Sequence, residues 1–305
     1  MSRAARLIAF VALGRPHFLA GGVALYSSGA AGALYLGYPL DHEAFLWGLA
    51  CALAIQWMTH YSNDYFDQAA DAANLTPTLW SGGSRVLQRG VLAPIVALGA
   101  ALAFVLVAMV SALVLALRLR AGPLTLPLVG VSLALAWAYS APPFRLHSRG
   151  LGELAAGVVV GLCAPLAGSY FQARLLEPLT LLSAAPLFLL AFTMILAVHF
   201  PDAAGDASVG KRTLVVRLGG AHAARLHNAV LMAAYLVLVP LAALGLPASI
   251  VVATAAPAPL AAVQLWRLRR GAWRDPRRYT GIAFRAAFIL GLTAACQLAG
   301  YLLSA

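Results

Sequence analysis

Of the ten acidic residues in this 305-residue chain, five fall in two short windows. The first reads Asn63-Asp64-Tyr65-Phe66-Asp67-Gln68-Ala69-Ala70-Asp71, and the second Asp202-Ala203-Ala204-Gly205-Asp206. Each follows a long apolar run. If the windows are helical, Asp64, Asp67 and Asp71 stand at i, i+3 and i+7, and Asp202 and Asp206 at i and i+4, so each set lines one helix face. Carboxylates crowded beside hydrocarbon repel one another and resist desolvation. One charge at a bilayer centre costs about 2.5–3.5 kcal/mol on insertion scales. Five uncompensated ones would cost roughly 12–18 kcal/mol at that depth, as much as the roughly 5–15 that holds a whole domain together. A cation must therefore sit among them, and oxygen-only ligands point to Mg²⁺.

Two facing carboxylate clusters with a divalent cation and nearby Arg and Lys make a diphosphate site, because metal and cations absorb the charge that grows on a leaving phosphate. The second window runs on into Gly210-Lys211-Arg212-Thr213, bringing two cations. After the first comes Ser81-Gly82-Gly83-Ser84-Arg85, whose glycines let main-chain amides approach an anion and whose arginine suits bidentate phosphate pairing. Arg145, following Tyr139-Ser140-Ala141-Pro142-Pro143, is a further candidate. If the diphosphate is allylic, its departure leaves a carbocation that the faces of Tyr139 or Tyr65 would stabilise. An apolar surround would hold a lipid tail and exclude water.

The elements that must position these groups are membrane helices. The chain is 62% hydrophobic and 10% charged, with a mean hydropathy of +0.85. Runs long enough to cross a bilayer lie near 17–37, 44–62, 91–117, 123–141, 151–171, 179–199, 223–244, 246–266 and 281–303. Arg15-Pro16 interrupts the N-terminal apolar run, which favours an uncleaved first helix over a signal peptide. Only Arg118, Arg120 and Arg174 of 21 Lys and Arg fall on the side reached after helices one, three, five and seven. The other side is then cytoplasmic, and both acidic windows sit on it, with Trp80, Trp266 and Trp273 as interfacial anchors. The net charge of +11 is spread over short loops, which speaks for topology and lipid headgroups and against a nucleic-acid surface. Cys51, Cys163 and Cys296 lie in apolar runs without ligand spacing and read as small buried hydrophobes. The windows stand 138 residues apart, from 64 to 202, each after an even-numbered helix, which suggests a weak internal repeat with the site between its halves. His60 and His199 hold parallel places before the two windows, and Glu153 opens the fifth helix.

At these residues the chain resembles a known family. Asn63-Asp64-x-x-Asp67-x-x-x-Asp71 is similar to the first signature of the UbiA family of intramembrane aromatic prenyltransferases. Asp202-x-x-x-Asp206 with Gly210-Lys211-Arg212-Thr213-Leu214 is similar to the second, and Tyr139-Ser140-x-Pro142-Pro143 to the element between them. Ser81–Leu87 and Thr213–Gly219 resemble the branch that prenylates 1,4-dihydroxy-2-naphthoate for menaquinone. Members of that branch usually carry Asn-x-Arg-Asp where this chain has His199-Phe200-Pro201-Asp202. The resemblance implies an all-α polytopic bundle of about nine transmembrane helices around a central, cytoplasm-facing cavity, with residues 1–305 forming one transmembrane domain in the cell (inner) membrane. It implies Mg²⁺-dependent transfer of a polyprenyl group from its diphosphate to a small aromatic acceptor. Asp64, Asp67, Asp202 and Asp206 would hold metal, with Tyr139 beside the reacting carbon. Asn63 and Asp71 would support the first site, while Arg85, Arg145, Lys211 and Arg212 would bind diphosphate. Other acceptors of the family, such as 4-hydroxybenzoate, homogentisate, a porphyrin or a phospho-sugar, stay open. A cation-coupled transporter is the alternative of a different class, but it needs charges at mid-depth, and every motif acid here lies at helix ends.

Overall fold

Backbone amides have no water to bind inside a bilayer, so an apolar chain of this kind satisfies them within helices. The computed structural model describes residues 2–305, and among these the regular structure is helical throughout, apart from a lone bridge between Thr78 and Ser81. Helix α1 (Arg3–Leu13) is capped by Ser2, whose hydroxyl accepts from the Ala5 amide, and is mostly exposed. Gly14, Arg15 and Pro16 end it, with Arg15 in the left-handed region at φ 47°. Then come α2 (Leu19–Tyr35), α3 (His42–Phe66) and the short α4 (Gln68–Ala73). The remaining long helices are α5 (Pro94–Arg118), α6 (Thr125–Ser140), α7 (Gly152–Ala173) and α8 (Pro178–Val198). Two short helices, α9 (Ala203–Ser208) and α10 (Leu214–Leu218), precede α11 (Gly220–Ala243), α12 (Ala248–Arg269) and α13 (Tyr279–Ser304).

Nine long helices therefore stand where nine spans were expected among the described residues. Seven spans are long and apolar enough to cross by composition alone. The other two are α6, only 16 residues long, and α3, whose ends are polar because its last turn carries the first acidic window. The expected run 44–62 is in fact helical to Phe66, started by Asp41 accepting from the Glu43 and Ala44 amides. Asp67 stands in a one-residue joint between α3 and α4, across which its amide still bonds the Asn63 carbonyl at 2.9 Å and the Asp71 amide bonds the Asp67 carbonyl at 2.8 Å. Asp64 ends α3, Asp67 occupies the joint and Asp71 rides on α4. The tight α11–α12 hairpin turns at Gly245, at φ 101°.

Small residues let the helices meet backbone to backbone. A Cβ on Gly29 would lie 1.8 Å from the Pro165 carbonyl oxygen, and one on Gly168 would lie 2.0 Å from that of Tyr26. This crossing seats α2 against α7 and brings α7 to the cavity wall. Residues of α2, α3, α6, α7, α8 and α13 enclose a cavity of about 540 Å³. Its body is apolar, lined by residues such as Leu25, Ile55, Val160, Met194 and Leu290, and its charged lining gathers at the end where α3, α8 and their short following helices finish. Phe284 (42% exposed) and Phe288 (45%) belong both to this lining and to the outer face of the bundle.

Candidate active site

The two acidic windows meet. Lys211 donates from Nζ to Asp67 at 2.8 Å and lies 3.3 Å from Asp206, tying one window to the other. Asn74 donates to Asp202 at 2.8 Å, the Gly82 amide donates to its second oxygen at 3.2 Å, and Thr76 reaches the Pro201 carbonyl at 2.8 Å. Both tips therefore close on one cavity end, as their distance in sequence requires of the long loops 63–90 and 200–222.

Each carboxylate has a distinct set of partners. Asp64 is fully buried; one oxygen accepts from the Arg15 guanidinium and the other from the Ser84 hydroxyl and amide. Asp67 accepts from Asn63 at 2.8 Å, from Lys211, and from His147 Nε2 at 2.8 Å. Burial would raise its pKa, but the charges of Lys211 and His147 outweigh burial and hold it far below the carboxylate range. His147 faces the Tyr139 carbonyl through Nδ1 at 2.5 Å as well, so the ring donates at both ends when protonated, with burial opposing that charge. Asp71 lies against Gly83, whose missing side chain makes room for the carboxylate: a Cβ there would sit 2.1 Å from Oδ2. Burial, with the neighbouring acids adding to it against Arg15, pushes Asp71 up to about 8. Burial and Asp206 push Asp202 up to about 6.

Two cations, Arg15 and Lys211, stand against five acids, a formal excess of three negative charges. The expected cation among the acids is thus partly supplied by the protein. The motif discloses Lys211, whereas in the sequence Arg15 only interrupts an apolar run. His147 and Asn74 are likewise partners that adjacency to a motif does not disclose, whereas Ser84 lies in the glycine loop and His199 just before the second window. Asn63, Asp67, Asp71, Asp202, Lys211 and Tyr139 line the cavity, and Asp64 and Asp206 lie buried just behind. Three expected phosphate ligands are elsewhere. Arg85, in the left-handed region at φ 65°, turns its guanidinium onto the Asp71 main-chain carbonyl and so closes the end of α4. Arg145 is exposed in the turn after Pro143, its amide bonded to the Ala141 carbonyl. Arg212 is exposed too, its amide and carbonyl bonded to Ser148 and Arg217. Trp80, expected as an interfacial anchor, packs between Phe18 and Phe284 in the cavity wall.

The site suits a hard divalent ion. The Oδ2 atoms of Asp71 and Asp206 are buried without any hydrogen-bond partner, which is costly unless a cation takes them. No three metal-binding side chains converge on a point among the described residues. Mg²⁺ is characteristically held by one or two carboxylates and completed by phosphate oxygens and water, so separated acids fit it when a diphosphate is present.

A family model described as the UbiA prenyltransferase family matches residues 7–296. A 1,4-dihydroxy-2-naphthoate octaprenyltransferase of Mycobacterium tuberculosis is 30% identical over 259 residues, 84% of this chain and 85% of that protein. One of the same description from Mycobacterium leprae is 31% identical over 221 residues, 72% of each. Among solved structures, a UbiA homolog from Archaeoglobus fulgidus bound to GPP and Mg²⁺ superposes with a TM-score of 0.63 at 15% identity, covering 96% of this chain and 99% of that one. The apo structure of a UbiA homolog from Aeropyrum pernix gives 0.66 at 20% identity, covering 92% and 97%.

Proposed function

The chain belongs to the UbiA prenyltransferase family, and from that premise we propose that it transfers a polyprenyl group from its diphosphate to 1,4-dihydroxy-2-naphthoate, with Mg²⁺, for menaquinone. The observation that carries the reading is the pair of acidic tips tied together by Lys211 at the polar end of an otherwise apolar cavity. An amphiphile with a charged head and a hydrocarbon tail is the molecule such a space accepts. Asp64, expected from the motif as a metal ligand, is instead taken by Arg15 and Ser84 behind the cavity wall, and Asp71, with an unpartnered buried oxygen, takes its place. Asp67, Asp71, Asp202 and Asp206 would hold Mg²⁺, which would neutralise the diphosphate and stabilise it as a leaving group. Lys211 pairs with the diphosphate from within the site. Arg15 fixes Asp64, and through Asn63 the base of the first window. Tyr139 presents its ring to the cavity for the cationic prenyl carbon. The apolar walls keep water from that carbon. The basic loops on the same side as the windows favour a cytoplasmic entrance in the cell membrane.

Membranes carrying the full chain, supplied with octaprenyl diphosphate, Mg²⁺ and dihydroxynaphthoate, are expected to yield the prenylated naphthol by mass spectrometry, and chelation is expected to stop it. Product with 4-hydroxybenzoate alone would replace the acceptor. No diphosphate release with any aromatic acceptor would overturn the enzymatic reading.

A further inference from the structure

Beside the aspartates lies a buried chain of groups that neither metal nor diphosphate requires. Glu153, the second residue of α7, is 0% exposed, and its Oε1 lies 2.9 Å from Nδ1 of His199, which is 5% exposed just beyond α8. The other ring nitrogen, Nε2, lies 3.5 Å from the Tyr139 hydroxyl, and both His199 and Tyr139 line the cavity. The second Glu153 oxygen is buried with no partner at all. A carboxylate at the start of a helix is helped by the helix dipole. The dipole does not account for its being aimed at a ring in the cavity wall. Where a carboxylate accepts from Nδ1–H, the tautomer is set and the Nε2 lone pair is directed the other way, here toward the cavity. The same carboxylate stabilises the imidazolium that forms when Nε2 takes a proton. The other charged groups on this side are Asp67, Asp202, Asp206, Lys211 and His147, the last stacked on Tyr139 at 5.1 Å.

We propose that His199 is the base that accepts the hydroxyl proton of the aromatic acceptor, with Glu153 as its positioning residue. The proposal rests on the prenyl-transfer reading above and adds the proton's destination to it. The acceptor O–H bond breaks and its proton moves to His199 Nε2, leaving an electron-rich aryloxide. A ring carbon of the aryloxide bonds to the allylic carbon as the C–O bond to diphosphate breaks, the electron pair leaving on diphosphate. Where that ring carbon bears hydrogen, the dienone tautomerises to the arenol and one proton remains on His199. Where it bears a carboxylate, carbon dioxide departs and the aryloxide takes the proton back. The apolar cavity offers bulk water little access as the proton's destination, so an internal base is needed. General-base assistance of this kind supplies typically about 10²–10⁴-fold.

The test uses the full chain in nanodiscs as wild type, His199→Asn and Glu153→Gln. First, dihydroxynaphthoate is bound without Mg²⁺ or prenyl diphosphate and its absorption recorded. The wild type is expected to show the aryloxide band at neutral pH, and His199→Asn the neutral arenol. Second, turnover is compared between dihydroxynaphthoate and a fluorinated analogue already ionised at assay pH. His199→Asn is expected to lose about 10²–10⁴-fold with the first and less than about tenfold with the second. Glu153→Gln is expected to move the rising limb of kcat/KM to lower pH, because the amide no longer holds the imidazolium proton. Equal losses with both acceptors, an unchanged spectrum, or prenyl diphosphate binding lost in both variants would make the pair structural and overturn the proposal. Undiminished turnover in His199→Asn would overturn it while leaving prenyl transfer standing. A wild type that prenylates no aromatic acceptor would remove both.

Discussion

In the first acidic window Asp64 and Asp67 each have a cation of their own, whereas in the second Asp202 has only neutral donors and Asp206 shares the lysine of the first. Arg15 takes Asp64, and Lys211 and His147 take Asp67, from positions 49, 144 and 80 residues away in the chain. Asp202 instead has the Asn74 amide and the Gly82 N–H, and Asp206 has one side of a shared lysine. The consequence is visible in their acidity. Asp67 stays ionised far below the usual range, whereas burial and Asp206 lift Asp202 to about 6. The first tip is already compensated by the protein. The second, together with Asp71, keeps uncompensated oxygen for a ligand to satisfy.

The sharpest way to break this contrast is Asp67→Ala, which strands Lys211 and His147. Breaking a buried pair costs about 3–5 kcal/mol, and losing a leaving-group clamp costs about 10²–10³-fold or more in kcat. Both thermal unfolding and turnover should therefore collapse, where Asp202→Ala should abolish turnover with the bundle still folded. Arg15→Gln comes next. It leaves Asp64 buried without its cation and is expected to cost about 3–5 kcal/mol of stability in a denaturation series. Asn74→Ala removes an amide that orients Asp202, a proposed Mg²⁺ ligand, and calorimetry should show Mg²⁺–diphosphate affinity falling about 10–100-fold.

The acidity difference predicts a pH effect as well. Asp71 and Asp202 have folded pKa values raised above the ordinary 3.8, to about 8 and about 6. Their protonated forms contribute stability fully below about 3.8 and lose it as pH rises through 6 and then 8. Mg²⁺ competes for the same oxygens, so its stabilising shift in melting temperature should grow from pH 5 to pH 8.5 and vanish in the Asp71→Asn, Asp202→Asn double variant. Smallest of all, Arg145→Gln and Arg212→Gln should each change turnover less than about twofold and stability within about 0.5 kcal/mol, as exposed substitutions do.

The acids were legible in the sequence because a carboxylate is conspicuous where hydrocarbon is the rule. Nine spans were legible for the same reason, read from apolar length. Arg15 was not, since its pairing with Asp64 comes from tertiary packing of the α1–α2 break against the end of α3, and no local period reports that. Sequence adjacency also misdirects: Arg145 and His147 are two residues apart, yet the turn sends the first to solvent and the second onto Asp67. Arg212 and Lys211 part in the same way. Near a motif, the backbone turn decides which neighbour faces inward.

Phe284 and Phe288, stacked on each other at 5.4 Å, face both the interior and the outer flank on the part of α13 that packs against Trp80. On the proposed reading, a tail that outgrows the space would leave past these two rings into the surrounding lipid while its head stays among the aspartates. Product length in the assay above is then expected to follow the mixture of prenyl diphosphates supplied, which mass spectrometry of the products checks.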